Sequence, residues 1–192
     1  MDNVLRVGFA MCGSYCTYES VFRELERLIP EFDIFPILSE NASSTDSRFG
    51  TAAAHRARLE TLTGRSVIDS IAKAEPIGPR KLLDVLVIAP CTGNTLAKLA
   101  HGITDSAVTM AAKAHLRNGR PVVVAVSTND GLSGSAANIG TLLARRGYYF
   151  VPFTQDDPER KPASLVADFS RIADTVRAAM EGRQIQPVLL RA

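Results

Sequence analysis

The 192 residues carry 22 Lys and Arg against 20 Asp and Glu, a formal charge of +2, with 46% hydrophobic and 22% charged residues. That balance excludes the basic footprint of a nucleic-acid or anionic-membrane binder, and the length suits one domain, residues 1–192, with a full hydrophobic core. No apolar stretch approaches the roughly 18–20 residues of a membrane span, Asp2 and Asn3 lead into the first apolar run without a signal pattern, and the odd set Cys12, Cys16 and Cys91 reads as reduced thiols, all consistent with a cytoplasmic protein.

Residues 4–11 (VLRVGFAM) form a short apolar run that predicts a first strand ending at Gly13. Residues 17–29 follow at helical spacing, with Val21, Phe22, Leu25 and Leu28 on one face and Pro30 as the stop. Residues 34–38 predict a second strand, placed near a sheet edge because Pro36 cannot donate to a ladder. Residues 39–50 (SENASSTDSRFG) are a polar loop, long for a compact α/β unit and therefore a functional candidate. Helices are expected over 51–63, closed by Gly64, and over 66–74, before the break at 75–79 (EPIGP).

The run 84–89 (DVLVIA) is apolar throughout, as a strand covered on both faces must be. Helices at 95–101 and 105–118, a buried strand at 122–126 (VVVAV), a helix at 135–146 and a last strand at 148–153 continue the alternation. A charged loop at 156–162 and an amphipathic helix at 167–180 complete the chain. The expected fold is a doubly wound parallel sheet of about five strands in a three-layer α/β/α arrangement, flavodoxin- or Rossmann-like, with strand order 2-1-3-4-5.

In such sheets ligands bind beyond the carboxyl ends of the strands, where the winding reverses. Two unusual loops leave those ends. The first, 12–17, offers Gly13 for close backbone approach to an anion, with Ser14, Tyr15 and Thr17 at a helix N-terminus that favours negative charge. The second, 90–95, ends its strand at Pro90, turns at Gly93 and presents Thr92, Asn94 and Thr95; an asparagine supplies the mixed donors and acceptors that a flavin's pyrimidine edge needs. Asn94 or Thr95 alone serves equally well as an ordinary cap. The ligand reading therefore requires both loops, and so Ser14 and Asn94, to meet on one crevice. The dinucleotide pattern G-x-G-x-x-G is absent from these loops, which argues against a nicotinamide cofactor held by this chain alone.

Elsewhere the bland readings prevail. His55 and His115 are expected on polar helix faces and His101 near a helix end, with no spacing that makes a metal site. Cys12 and Cys16 read as small buried thiols, while Cys91 on the second loop is a candidate to touch a cofactor. Arg48, in the long polar loop, is the best candidate to hold a carboxylate by two parallel donors, and Lys98 is a further candidate; Arg56 and Arg58 read as solvated charge.

Residues 12–14 (CGS), 89–98 (APCTGNTLAK) and 102–105 (GITD) resemble the homo-oligomeric flavin-containing cysteine decarboxylases, which place a T-G-S loop and a P-x-x-x-N-T loop around FMN. Residues 126–129 (VSTN) stand where that family has P-A-M-N, and Asn138, Gly147 and Pro152 match its later asparagine, glycine and proline. The resemblance implies FMN as cofactor, Ser39 and Asn129 as further contacts, and assembly as a trimer or a multiple of one.

A closer likeness runs from residue 4 to about 190, through 13–19, 44–50, 74–79, 87–94, 104–106, 111–114, 117–121, 127–130 and 153–158. It points to a branch of the family, the B subunits of two-subunit oxidoreductases that make pyridine-2,6-dicarboxylate during sporulation. That branch implies a partner, the A subunit, together with a dihydropyridine dicarboxylate as substrate and NADP bound through the partner. Pro76 occupies the position of the decarboxylases' histidine, and a proline transfers no proton, so catalytic residues stay unassigned. Cys12 for threonine and Ser127–Thr128 for Ala-Met are further departures. A free-standing FMN decarboxylase and a non-catalytic assembly protein remain the alternatives.

Overall fold

The computed structural model describes residues 4–191, so the expectation drawn from Asp2 and Asn3 lies outside the described residues. The elements are β1 (Arg6–Met11), α1 (Tyr18–Leu28), β2 (Asp33–Leu38), α2 (Glu40–Ser44), α3 (Ala52–Thr63), α4 (Ile71–Ala74), β3 (Val85–Cys91), α5 (Gly93–His101), α6 (Ala107–Leu116), β4 (Val122–Thr128), α7 (Ala136–Leu143), β5 (Tyr148–Phe150), β6 (Phe153–Asp157), β7 (Lys161–Ala167) and α8 (Ile172–Met180).

The sheet runs β2-β1-β3-β4, all parallel, with winding that reverses between β1 and β3. β3 is buried at every residue and β4 at all but its last, because α6 packs on both strands from one face and α8 from the other. Arg6 and Arg120 clamp the entry ends of this core by binding the Asp84 carboxylate, with Arg6 Nη2 at 2.8 Å and Arg120 Nη1 at 3.2 Å.

β4 serves two partners in succession. Its first half, Val122–Val124, pairs in parallel with β5; its end, Ser127 and Thr128, pairs antiparallel with β7. The sheet is therefore mixed and has seven strands, where a parallel sheet of about five was expected. The expected strand at 148–153 divides at Val151 and Pro152, after which the chain crosses from the start of β4 to its end. Of the charged loop expected at 156–162 only residues 158–160 are a turn: its flanks are the ends of β6 and β7, which form a hairpin with Lys161 Nζ 2.6 Å from Asp156. Its run of charged residues and prolines hid the strands, since the hairpin reaches over solvent and buries only part of its length.

Other boundaries moved for local reasons. Residues 66–70 are extended rather than helical, because Ile68 bonds to the backbone of Pro36 and Leu38 and shields the outer edge of β2; only α4 remains of that helix. The long polar loop contains α2, which Ser39 caps by accepting from Ala42 N at 3.3 Å. α8 begins at Ile172, after a 3-10 turn at Phe169–Arg171. Gly64 closes α3 with φ 65°, as its place past the last helical residue predicts.

Candidate functional site

The loop leaving β1 lies across the end of β3: Cys12 N donates to Pro90 O at 3.2 Å. From there Ser14 N bonds to Cys12 O and the Thr17 hydroxyl to Ser14 O at 2.8 Å, winding residues Tyr15–Thr17 into the 3-10 turn that opens α1. Tyr15 OH donates to Asn41 O at 2.9 Å and ties this loop to α2.

The loop leaving β3 turns at once into α5. Thr92 caps that helix by accepting from Thr95 N at 3.3 Å, and Gly93 is its first residue. A methyl group on Gly93 would stand 2.5 Å from Ser135 Oγ and 2.8 Å from both Asp130 Oδ1 and Thr128 Oγ1, so glycine is required here by packing against the segment after β4. That segment is itself knotted around Asp130, whose carboxylate accepts from Thr128 Oγ1 at 2.5 Å and from Ser135 Oγ at 2.9 Å.

These loops and the β6–β7 hairpin enclose a cleft of about 860 Å³ beyond the strand ends at the winding reversal. Ser14 and Asn94 both line it, and the hydroxyls of Ser14 and Ser127 meet at 2.8 Å. Gly13, Tyr15, Thr92, Gly93 and Asn129 also line it, as does Arg48, whose guanidinium lies over the Phe49 ring at 4.8 Å and makes no ion pair among the described residues. The walls are rich in hydroxyls, and the N-terminus of α5 opens at the cleft, which together suit an anion at one end.

Four expected contacts stand back from the cleft lining. Ser39 is spent as the cap of α2. Pro90 is buried within β3, following a cis peptide bond. The Thr95 hydroxyl points inward to Cys12 Sγ at 3.3 Å. Lys98 lies one turn further along α5, lines a different cavity and is paired with Asp105 at 2.8 Å. Helical geometry carried Lys98 away, since a side chain four residues beyond Asn94 cannot stay at the helix mouth.

The cleft also contains residues that no sequence pattern had marked as ligand contacts. Ser127 and Thr128 end β4, Asp130 follows it, and Ser164, Leu165 and Lys161 come from the hairpin. The signal for the first three was present in the 127–130 segment; for the hairpin it was not, because its strands went unrecognised.

The thiols and imidazoles divide differently than expected. Cys12 and Cys91 are buried, and burial pushes the Cys12 thiol up to about 11, against weaker relief from Thr95; Cys91 is raised by burial as well. Cys91 lies behind the cleft wall. Cys16 is exposed and lines the cleft. His55 and His115 are not on polar faces but buried, each with Nε2 lacking a partner among the described residues. His55 packs edge-on to Tyr18, with ring centroids 4.7 Å apart, and flat on Phe22, an aromatic cage that α3 and α1 build between them. Burial, then Arg120, holds His115 down at about 4. His101 is the exposed last residue of α5. No histidine lines the cleft among the described residues. Arg56 and Arg58 are engaged in ion pairs with Asp69 and with Glu19 and Glu26.

The described residues hold no group of three or more His, Cys, Asp or Glu that could take a metal, and no helix is long and apolar enough to cross a membrane. The profile of the flavoprotein family matches residues 1–181. The chain is 47% identical to the B subunit of dipicolinate synthase from Bacillus subtilis (strain 168) over 186 residues, 96% of this chain and 93% of that one. The crystal structure of the B subunit of dipicolinate synthase from Bacillus halodurans C superposes with a TM-score of 0.90 at 44% identity, over 100% of this chain and 99% of the other. The FMN-dependent cysteine decarboxylase SpaF shares the fold, with a TM-score of 0.68 at 24% identity over 91% of this chain and 97% of that one.

Proposed function

This chain belongs to the flavoprotein family, in the branch of the dipicolinate synthase B subunits. On that footing we propose that it is the B component of an oxidoreductase: together with the A subunit of dipicolinate synthase, it oxidises dihydrodipicolinate to dipicolinate during sporulation. Aromatisation removes one hydride equivalent and one proton from the ring, and NADP, bound through the A subunit, receives the hydride. FMN is the group for which the cleft of this chain is built, and when bound it supplies a two-electron acceptor. The setting is the cytoplasm, and the chain acts as one domain that assembles into a trimer or a multiple of one.

The observation that carries this reading is the meeting of Ser14, Ser127 and the start of α5 on one crevice at the winding reversal. The residues fit a flavin mononucleotide. The volume lies in the range of cofactor sites, Ser14, Thr17 and Ser127 offer hydroxyls beside a helix N-terminus to a phosphate, and Asn94 and Asn129 offer donors and acceptors to a heterocycle. Among the described residues Arg48 is the free cation of the lining, and it is assigned to a carboxylate of the substrate, which it would orient by two parallel donors. Thr128 and Ser135, held on Asp130, keep the wall opposite Gly93 in place.

A free-standing decarboxylase is the weaker reading. Pro76 sits in a 3-10 turn away from the cleft lining, and no histidine stands in its place there. The test is to titrate the purified chain with FMN, then assay NADP-dependent dipicolinate formation with and without the A subunit. Saturable flavin binding, and product only when both chains are present, is the expected result. Release of carbon dioxide from a cysteinyl peptide by this chain alone would favour the decarboxylase. Undiminished activity in Gly13→Val and Asn94→Ala would leave only the assembly role.

A further inference from the structure

The molecule has a second cavity, of about 750 Å³, at the opposite end of the sheet. The cleft described above touches Ser127 and Thr128 at the end of β4, whereas this cavity touches Pro121 just before its start. The seven residues of β4 separate the two by roughly 20 Å, and they share no lining residue.

The chemistry of this cavity is amphipathic. Its apolar wall comes from Leu99 on α5, Ala112 and Leu116 on α6, and Tyr148 on β5, with the exposed side chains of Ile103 and Met180 also lining it. Five basic side chains border it, and three of these are already committed. Lys98 pairs with Asp105, Arg120 pairs with Asp84, and Arg145 donates to the carbonyls of Leu99 and Ala100 at 3.0 and 2.9 Å, capping α5. Lys113 and Arg146 remain, each exposed and without an ion pair among the described residues. The neighbouring carboxylates are occupied: Asp105 by Lys98 and Glu181 by Arg183.

We infer that this cavity is a second binding site, for a small amphipathic anion: an apolar body seated against Leu99, Leu116 and Tyr148, with its carboxylate, sulfonate or phosphate between Lys113 and Arg146. A concave volume of this size matches small-molecule sites, and apolar walls with a few convergent charges are their usual composition. Two uncompensated cations at the rim of an apolar hollow select against neutral or cationic ligands of the same shape.

The probe is 8-anilinonaphthalene-1-sulfonate, an apolar bicyclic body with a single sulfonate, titrated into the full chain and followed by its emission. Saturable binding of one probe per chain is expected, undisturbed by saturating FMN and equal in Gly13→Ala. The double variant Lys113→Glu/Arg146→Glu should weaken it about tenfold, the scale of reversing two exposed charges. Ala112→Leu, which fills the wall, should weaken it too; an unchanged thermal midpoint in each variant separates loss of the site from loss of the fold. Displacement of the probe by FMN would assign it to the other cleft and overturn the inference. Equal affinity in the charge-reversed variant would overturn it as well. So would a change of oligomeric state in that variant, since the face would then be covered by a second chain.

Discussion

The Ser14 hydroxyl lies 2.8 Å from the Ser127 hydroxyl, which joins the loop leaving β1 to the last residues of β4 across the end of β3. The contact spans 113 positions of sequence and closes one wall of the cleft at the point where strand winding reverses. Neither residue has a helix or strand reason to reach the other. What they share is a position at the carboxyl ends of parallel strands, where side chains leave the core and backbone donors are free.

At Gly13 the proposed ligand binding and the folding are expected to separate. A methyl group there would meet Tyr15 and Asn41 no closer than 3.5 Å, an ordinary contact, so the protein tolerates alanine. Gly13→Ala is expected to keep its thermal midpoint within a few degrees, a change of under about 1 kcal/mol, while weakening FMN by about tenfold or more. Fluorescence titration alongside thermal unfolding checks both. Flavin affinity equal to that of the parent chain would remove the first loop from the site.

The proposed assignment gives Arg48 to the substrate and not to the cofactor. Its side chain is exposed and carries no ion pair among the described residues, so Arg48→Ala should leave stability within about 0.5 kcal/mol. With the A subunit present, the apparent KM for the dicarboxylate is expected to rise by about tenfold or more, the cost of a lost charge-assisted pair. An unchanged KM would assign the carboxylate to another cation.

The three thiols should react in two classes. Cys16 is exposed at the cleft, whereas Cys12 and Cys91 are buried and raised in pKa. A disulfide reagent at pH 8 is expected to label one thiol per chain quickly and the other two only after unfolding. Bound FMN should slow the fast reaction. Two fast thiols in the folded chain would contradict the burial of Cys12 or Cys91.

Asp130 holds the segment after β4 in place. Asp130→Ala removes the acceptor for Thr128 and Ser135 and is expected to cost about 1–3 kcal/mol in urea unfolding. Because that segment carries Asn129 and faces Gly93, flavin affinity should fall as well, and Asp130→Asn, which keeps one acceptor oxygen, should lose less of both. Equal losses in the two variants would separate the carboxylate from the geometry of the wall.

Acid should destabilise the chain through His115. Burial, then Arg120, lowers its imidazole from 6.5 to about 4. Between those values the unfolded chain binds a proton that the folded chain refuses, so this contribution is complete above 6.5 and is lost as pH falls towards 4. The slope approaches about 1.4 kcal/mol per pH unit in that window. His55, lowered by burial and then by Arg58, acts in the same direction. Asp84, held low mainly by Arg6, adds its own loss only as pH falls below its ordinary value of 3.8. Urea midpoints measured from pH 7 to pH 4.5 should fall, and His115→Gln should flatten the curve.

The order of the strands and longer helices up to β4 was legible because buried parallel strands are continuous apolar runs, as at Val85–Cys91 and Val122–Thr128, and because residues such as Gly64 close the helices. The placement of Ser14 and Asn94 on one crevice followed from topology, since any doubly wound sheet brings those two strand ends together. The hairpin was not legible. Asp156, Asp157, Glu159, Arg160 and Lys161 crowd charge around its turn, and the pairing of Leu165 and Val166 with the end of β4 depends on a strand more than thirty positions away.

The amino-acid order alone therefore determined the class of fold, the two ligand loops and the family likeness, because each is written in local chemistry: apolar runs, turn residues and short motifs. Tertiary structure decided which of those residues face the cleft. It turned Thr95 inward to Cys12, carried Lys98 along α5 to a second cavity, buried His55 and His115, and brought Ser127 to Ser14. The direction of a side chain is set by the packing of elements distant in sequence, and no local pattern encodes that distance.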